Sequence, residues 1–240
     1  LQKLYIIYAI IFIVNTLNSY KTENNVNYNI DTYEKSYVQY PVLSGLENQD
    51  EINELISNEV DNIINYYRTY DLSGENGEYR KERVISYKIT NRDDEMLAVC
   101  FKGYVVLVDD NVPNRPQAIF NSFSIDLKTA SIIELNKIIN VEDDSFVDYF
   151  IENANKQLNT RFPGEDVTIN HVFSNEQIKN LLKNADVRRE ISDNSEKFYA
   201  ADSLSYISGE YLVIRFSVLY VLGQIWDFYI PLDETVQWQY

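Results

Sequence analysis

The sequence predicts an α+β fold, with antiparallel β-sheets and helices packed on one face, arranged as a two-part module. Three observations predict it. Val84–Leu127 reads as three successive strands, runs of β-branched and aromatic residues broken by Asn, Asp and Pro clusters. An amphipathic helical pattern precedes that meander and shorter ones follow it. Further strand-like runs close the chain, so strands and helices come in blocks and not in βαβ alternation. The 240 residues, 45% hydrophobic and 24% charged, are ordinary for a folded chain of this kind.

Taken in order, Leu4–Val14 is an uninterrupted apolar run behind Lys3. As a helix it reaches about 16 Å, short of a hydrocarbon core of about 30 Å. A cation, a short apolar segment and then polar residues fit export, so residues 1–20 read as a signal peptide or signal anchor. Residues 21–36 are polar and Asn-rich and are expected to be a spacer with little structure. Residues 37–130 form the first part of the module and residues 131–240 the second.

The first part opens on a strand at Tyr37–Leu43, where Pro41 marks an edge or an end. The clearest helix follows over Gln49–Tyr67. Ile52, Leu55, Ile56, Ile63, Ile64 and Tyr67 share a face, and Asn48 with Glu51 resembles a capping box. Glu51, Glu54 and Glu59 read as its solvated side. The meander then runs Val84–Thr90, Met96–Val108 and Ala118–Leu127.

In the second part, Ile132–Ile139 reads as a short strand or helix. Ser145 with Asp148 and Ser174 with Gln177 read as two helix starts. The triplet Glu142–Asp144 lies ahead of the first, where negative charge favours the positive end of the helix dipole; it lacks the alternating ligand order of a calcium loop. Strands are expected at Lys197–Ala201, Tyr211–Ser217 and Gln224–Pro231.

Charge and composition narrow the chemistry. With 21 basic against 37 acidic residues the net charge is −16, which argues against a nucleic-acid partner and favours encounter with a basic one. The single thiol, Cys100, forms no intramolecular disulfide, and its place in a strand makes it a small buried hydrophobe. The single imidazole, His171, excludes multi-His zinc sites. The chain contains no Gly-x-Ser-x-Gly elbow, Walker-type loop or dinucleotide glycine pattern.

Tyr40–Leu46 before an amphipathic helix, Gly103-Tyr104, Asn121–Thr129, Phe198-Tyr199 and Phe216–Pro231 together resemble the extracytoplasmic module of the RsiV anti-sigma factor family. They are also similar to the N-terminal module of the peptidoglycan deacetylase PdaC. The resemblance covers about Tyr37 to Asp233 and implies a PdaC-like first part and an RsiV-like second part outside the membrane. RsiV-type members bind lysozyme; PdaC-type members accompany a separate catalytic domain. Relatives commonly carry a His in the turn after the central long strand, where this chain has Asp109–Pro116 without one.

The expected function is therefore a non-enzymatic extracytoplasmic binding or sensing module of a Gram-positive cell envelope, secreted or membrane-anchored. Its expected partner is lysozyme or another basic protein, or peptidoglycan; no cofactor or metal is expected. Loops presented by a rigid sheet are usual recognition sites, so Asp109, Asp110, Asn111, Asn114 and Arg115 are candidate contacts, with Tyr220, Gln224 and Trp226 second. The competing expectation is a protein that binds cell-envelope glycan, or cleaves it through paired carboxylates, Asp109 or Asp110 with Asp227. A purely structural envelope protein is a third.

Overall fold

The computed structural model describes residues 21–29, 34–69, 80–108, 116–193, 196–218 and 225–232. Its content is α+β, as expected. A six-stranded sheet runs in sequence order through β1 (Lys21–Asn29), β2 (Glu34–Ser44), β3 (Arg80–Arg92), β4 (Met96–Val108), β5 (Gln117–Asp126) and β6 (Ser131–Ile132). Helix α1 (Gln49–Thr69) connects β2 to β3. That connection makes β2 and β3 parallel, one crossover unit in an otherwise antiparallel sheet.

One of these strands departs from the sequence expectation. Lys21–Asn29, expected to be spacer, pairs antiparallel with β2 from Lys21↔Ser44 to Asn29↔Lys35. Ladder bonds come from the backbone, so an Asn-rich segment with no sustained apolar period still forms a strand against a neighbour. The parallel pairing of β2 with β3 ends at Val38↔Ile85. Pro41 therefore lies where β2 no longer has β3 beside it, as a residue without an N–H requires. Beyond it Asn53 of α1 closes the open side, accepting from the Leu43 amide (2.7 Å) and donating to its carbonyl (2.9 Å).

Period-two alternation divides β4 between two cores. Leu97, Val99, Phe101 and Val105 face Ile52, Ile56, Val60 and Ile63 of α1, joined by Ile119, Phe123 and Ile125. Each such fully buried side chain contributes about 1.5–3 kcal/mol. Met96, Ala98 and Cys100 face the other way, toward the second part. Both faces of β4 are thus covered over Met96–Phe101, which explains the apolar run there. Gly103 is the close-approach point of this sheet, since a Cβ there would run into the Val84 carbonyl oxygen. Gly103→Ala is expected to lower stability by about 2 kcal/mol through displacement of β3, read as a lower urea midpoint.

The second part is built on a three-stranded sheet in the order β11 (Ile225–Pro231), β10 (Tyr211–Ser217), β9 (Ser203–Ser208). The short helix α2 (Leu135–Ile138) follows β6, and α3 (Asp144–Arg161) and α4 (Asn175–Lys183) join it in covering one face of this sheet. Phe150 of α3 meets Phe216 and Phe228 at ring-centroid distances of 5.6 and 5.5 Å. A two-stranded ribbon, β7 (Arg189–Asp193) and β8 (Glu196–Ala200), leads into β9. Helix α4 starts as expected, with a Ser174/Gln177 capping box. Helix α3 does not start at Ser145. Asp143 is its cap, accepting from the Ser145 amide, because a carboxylate at that position meets the same orphan donors with full charge.

Candidate functional site

Strand β9 joins the two parts through its outer edge. Leu204 and Tyr206 pair with β10, so the backbones of Ser203, Ser205 and Ile207 point away from the small sheet. Side chains and loops close that edge. Asp186 donates its amide to the Ser203 carbonyl (3.0 Å) and accepts from the Ser205 amide through Oδ1 (2.7 Å). Ser124 and Thr90, on the large sheet, bond the Ile207 N–H (3.4 Å) and carbonyl (2.7 Å). Ser203–Ser208 alternates polar and apolar residues only from Ser203 to Tyr206, and its three serines leave a weak strand signal in sequence. Its buried serines serve an edge that is closed by polar groups.

Asp186 is buried and also accepts from the Leu135 amide (3.2 Å) and the Ser205 hydroxyl (2.5 Å). Arg188 donates to its carbonyl (2.9 Å) and to Glu59 of α1 (3.0 and 3.2 Å), which ties the two parts together. Glu59 is thus a buried ion-pair partner, not part of a solvated face. Burial pushes the Asp186 carboxyl up from 3.8 to about 6, against the opposing pull of Arg188 and its hydrogen bonds. A raised folded value favours the protonated folded state. The stabilisation is full below the unfolded value near 3.8 and is lost as pH rises through about 6. The gap is worth about 3 kcal/mol, of which about 1 kcal/mol falls between pH 5 and 7. The stability difference between the native chain and Asp186→Asn is therefore expected to shrink by that amount from pH 5 to pH 7, measured by urea unfolding. A difference that grows with pH would contradict it.

Arg215 of β10 lies between the two sheets. It is a lone cation in an apolar strand and 3% exposed. Register places Asp227 opposite it on β11, and the pair is bidentate, Nε to Oδ1 at 2.6 Å and Nη2 to Oδ2 at 2.9 Å. The guanidinium lies 5.6 Å from the Phe120 ring centroid and 5.3 Å from that of Tyr206, with the Cys100 sulfur 3.8 Å from Nη2. Burial works against the Arg215 charge, but the hydrogen bonds and charge of Asp227 outweigh it, so its pKa is raised. Burial, then the Asp227 charge, raises the Tyr206 hydroxyl. Cys100 is a buried free thiol in this cluster.

The outer side of this pair opens into a cleft of about 430 Å³. Lys102 of β4 and Phe120 of β5 form one wall, Gln157 and Arg161 of α3 another, and Ile225 to Tyr229 of β11 the third. Of the expected contacts, Asp109, Asp110, Asn111, Asn114, Arg115, Tyr220 and Gln224 lie outside the described residues. The strands leading into both of those loops line the cleft. Trp226 is fully buried in the core beside Phe228 (6.1 Å between centroids) and so forms part of the cleft's floor, not a presented contact. Lys102, Phe120, Arg161 and Arg215 were not legible as a group, since β4, β5, α3 and β10 meet only in the folded chain. His171 is exposed and accepts from the Thr168 amide (3.2 Å). Among the described residues, no cluster of His, Cys, Asp and Glu forms a metal site, and no helix is long and apolar enough to cross a membrane.

No protein-family profile matches the chain, and no curated protein matches it. Among solved structures, the chain is similar to a DUF3298 family protein from Pseudomonas aeruginosa PAO1, at 8% identity over 88% of each chain with a TM-score of 0.44. It is also similar to a DUF3298 family member from Bacteroides fragilis NCTC 9343, at 11% identity over 88% of this chain and 89% of that one with a TM-score of 0.47.

Proposed function

We propose that this chain is a non-enzymatic extracytoplasmic binding module, secreted or held at the outer face of a Gram-positive membrane, whose partner is lysozyme or another basic protein. The observation that carries the reading is the state of Asp227. A glycan-cleaving pair needs carboxylates that exchange protons or attack a sugar. Asp227 instead gives both oxygens to Arg215, an arrangement that fixes two strands and suits a rigid recognition surface. The −16 charge supports a basic partner, because it favours encounter and makes it salt-sensitive.

A pull-down of the chain against lysozyme at low and at moderate salt tests this. Retention at low salt that weakens at moderate salt is expected. No retention at either would remove lysozyme as the partner.

A further inference from the structure

We propose that the outer edge of β11, between Lys102 and Arg161, is a docking site for an extended acidic segment of a partner protein, which adds there as a further strand. The edge itself is the first support. Gln157 of α3 bonds both backbone groups of Tyr229, accepting from its amide (3.0 Å) and donating to its carbonyl (2.8 Å). The Tyr229 backbone therefore points away from β10, and period two makes Asp227 and Ile225 point the same way. Among the described residues β11 is the outermost strand of its sheet. Among the described residues, nothing bonds the outward amides and carbonyls of Ile225 and Asp227.

Other open edges are closed at single points by side chains. Asn53 closes the open side of β2 at Leu43, Asp186, Ser124 and Thr90 close β9, and Gln157 closes β11 at Tyr229. An open stretch of edge is the usual template for strand addition. Five consecutive residues, Ile225 to Tyr229, line the cleft. Side chains alternate between the two faces of a sheet, so only the backbone edge of a strand presents five in succession to one cavity.

Charge identifies the occupant. Elsewhere Lys128, Lys156, Lys179 and Lys183 pair with Glu95, Glu152, Asp144 and Glu142. Lys102 and Arg161, like Lys88 and Lys137 elsewhere on the surface, have no such pair among the described residues, but at the cleft the two unpaired cations lie together, although the chain carries 37 acidic residues. Both are exposed at the cleft, and its one carboxylate, Asp227, is neutralised by Arg215. An uncompensated positive mouth beside an open edge fits a strand with acidic side chains. This site is separate from the surface that the net negative charge offers to a basic partner, so either can fail alone.

The test uses the full chain and a fluorescein-labelled peptide of alternating Glu and Val, read by fluorescence anisotropy at low salt. Three further measurements accompany it: the same peptide N-methylated at alternate amides, its Lys-Val counterpart, and the variant Lys102→Glu/Arg161→Glu. Both substituted side chains are exposed, so folding is expected to be unchanged, checked by circular dichroism. The Glu-Val peptide is expected to bind, its Lys-Val counterpart at least tenfold more weakly, N-methylation to abolish binding, and the double variant to weaken it at least tenfold. Four results would overturn the proposal: no binding of the Glu-Val peptide, equal binding of the Lys-Val peptide, equal binding of the N-methylated peptide, or equal binding by the double variant.

Discussion

Asp186→Ala is expected to lower stability at pH 7 by about 3 kcal/mol, and by more at pH 5. The substitution leaves the Leu135 and Ser205 amides and the Ser205 hydroxyl without their acceptor inside the protein. Each such buried orphan costs about 1–3 kcal/mol. Alanine is also less suited than aspartate to the left-handed backbone at this position, φ 66°. The opposing effect is relief of a buried carboxylate that is ionised at neutral pH, which offsets part of the loss and fades as pH falls through about 6. Urea unfolding at both pH values measures the balance. A loss below about 1 kcal/mol at pH 5 would mean that β9 is held by something other than this acid.

Asp227→Ala is expected to cost about 3 kcal/mol. Arg215 would keep its charge at 3% exposure, with a sulfur, a phenol and two ring faces as its remaining partners. Removing one member of a buried pair typically costs about 3–5 kcal/mol, and the 22% exposure of the Asp227 side chain admits some water, which moves the estimate to the lower end. The double variant Arg215→Met/Asp227→Leu removes both charges and is expected to recover most of the loss. If the double variant is as unstable as Asp227→Ala, the cost lies in packing and not in an unpaired charge.

Local patterns carried much of the fold. The amphipathic face of α1, the three strands of the meander and the apolar run of β10 follow from periodicities of 3.6 and 2, which depend only on neighbouring residues. What the sequence concealed depends on distant partners. Lys21–Asn29 becomes a strand because β2 lies beside it, and Ser203–Ser208 because Asp186, Ser124 and Thr90 meet its edge. Arg188 finds Glu59 across 129 positions and Arg215 meets Cys100 across 115.

The site was legible only in outline. The loop flagged at residues 109–115, with Tyr220 and Gln224, lies outside the described residues, but the strands that flank these positions do line the cleft. One signal went unused. Arg215 is the only charge in the apolar run Tyr211–Ser217, and a buried arginine demands a carboxylate at its register position, which identifies Asp227 once β10 and β11 are paired.

Whether this acidic chain binds a basic protein partner is read by titration calorimetry with lysozyme over a series of salt concentrations. A saturable complex is expected at low salt, its affinity falling steadily as salt rises. Absence of any complex at the lowest salt would rule lysozyme out.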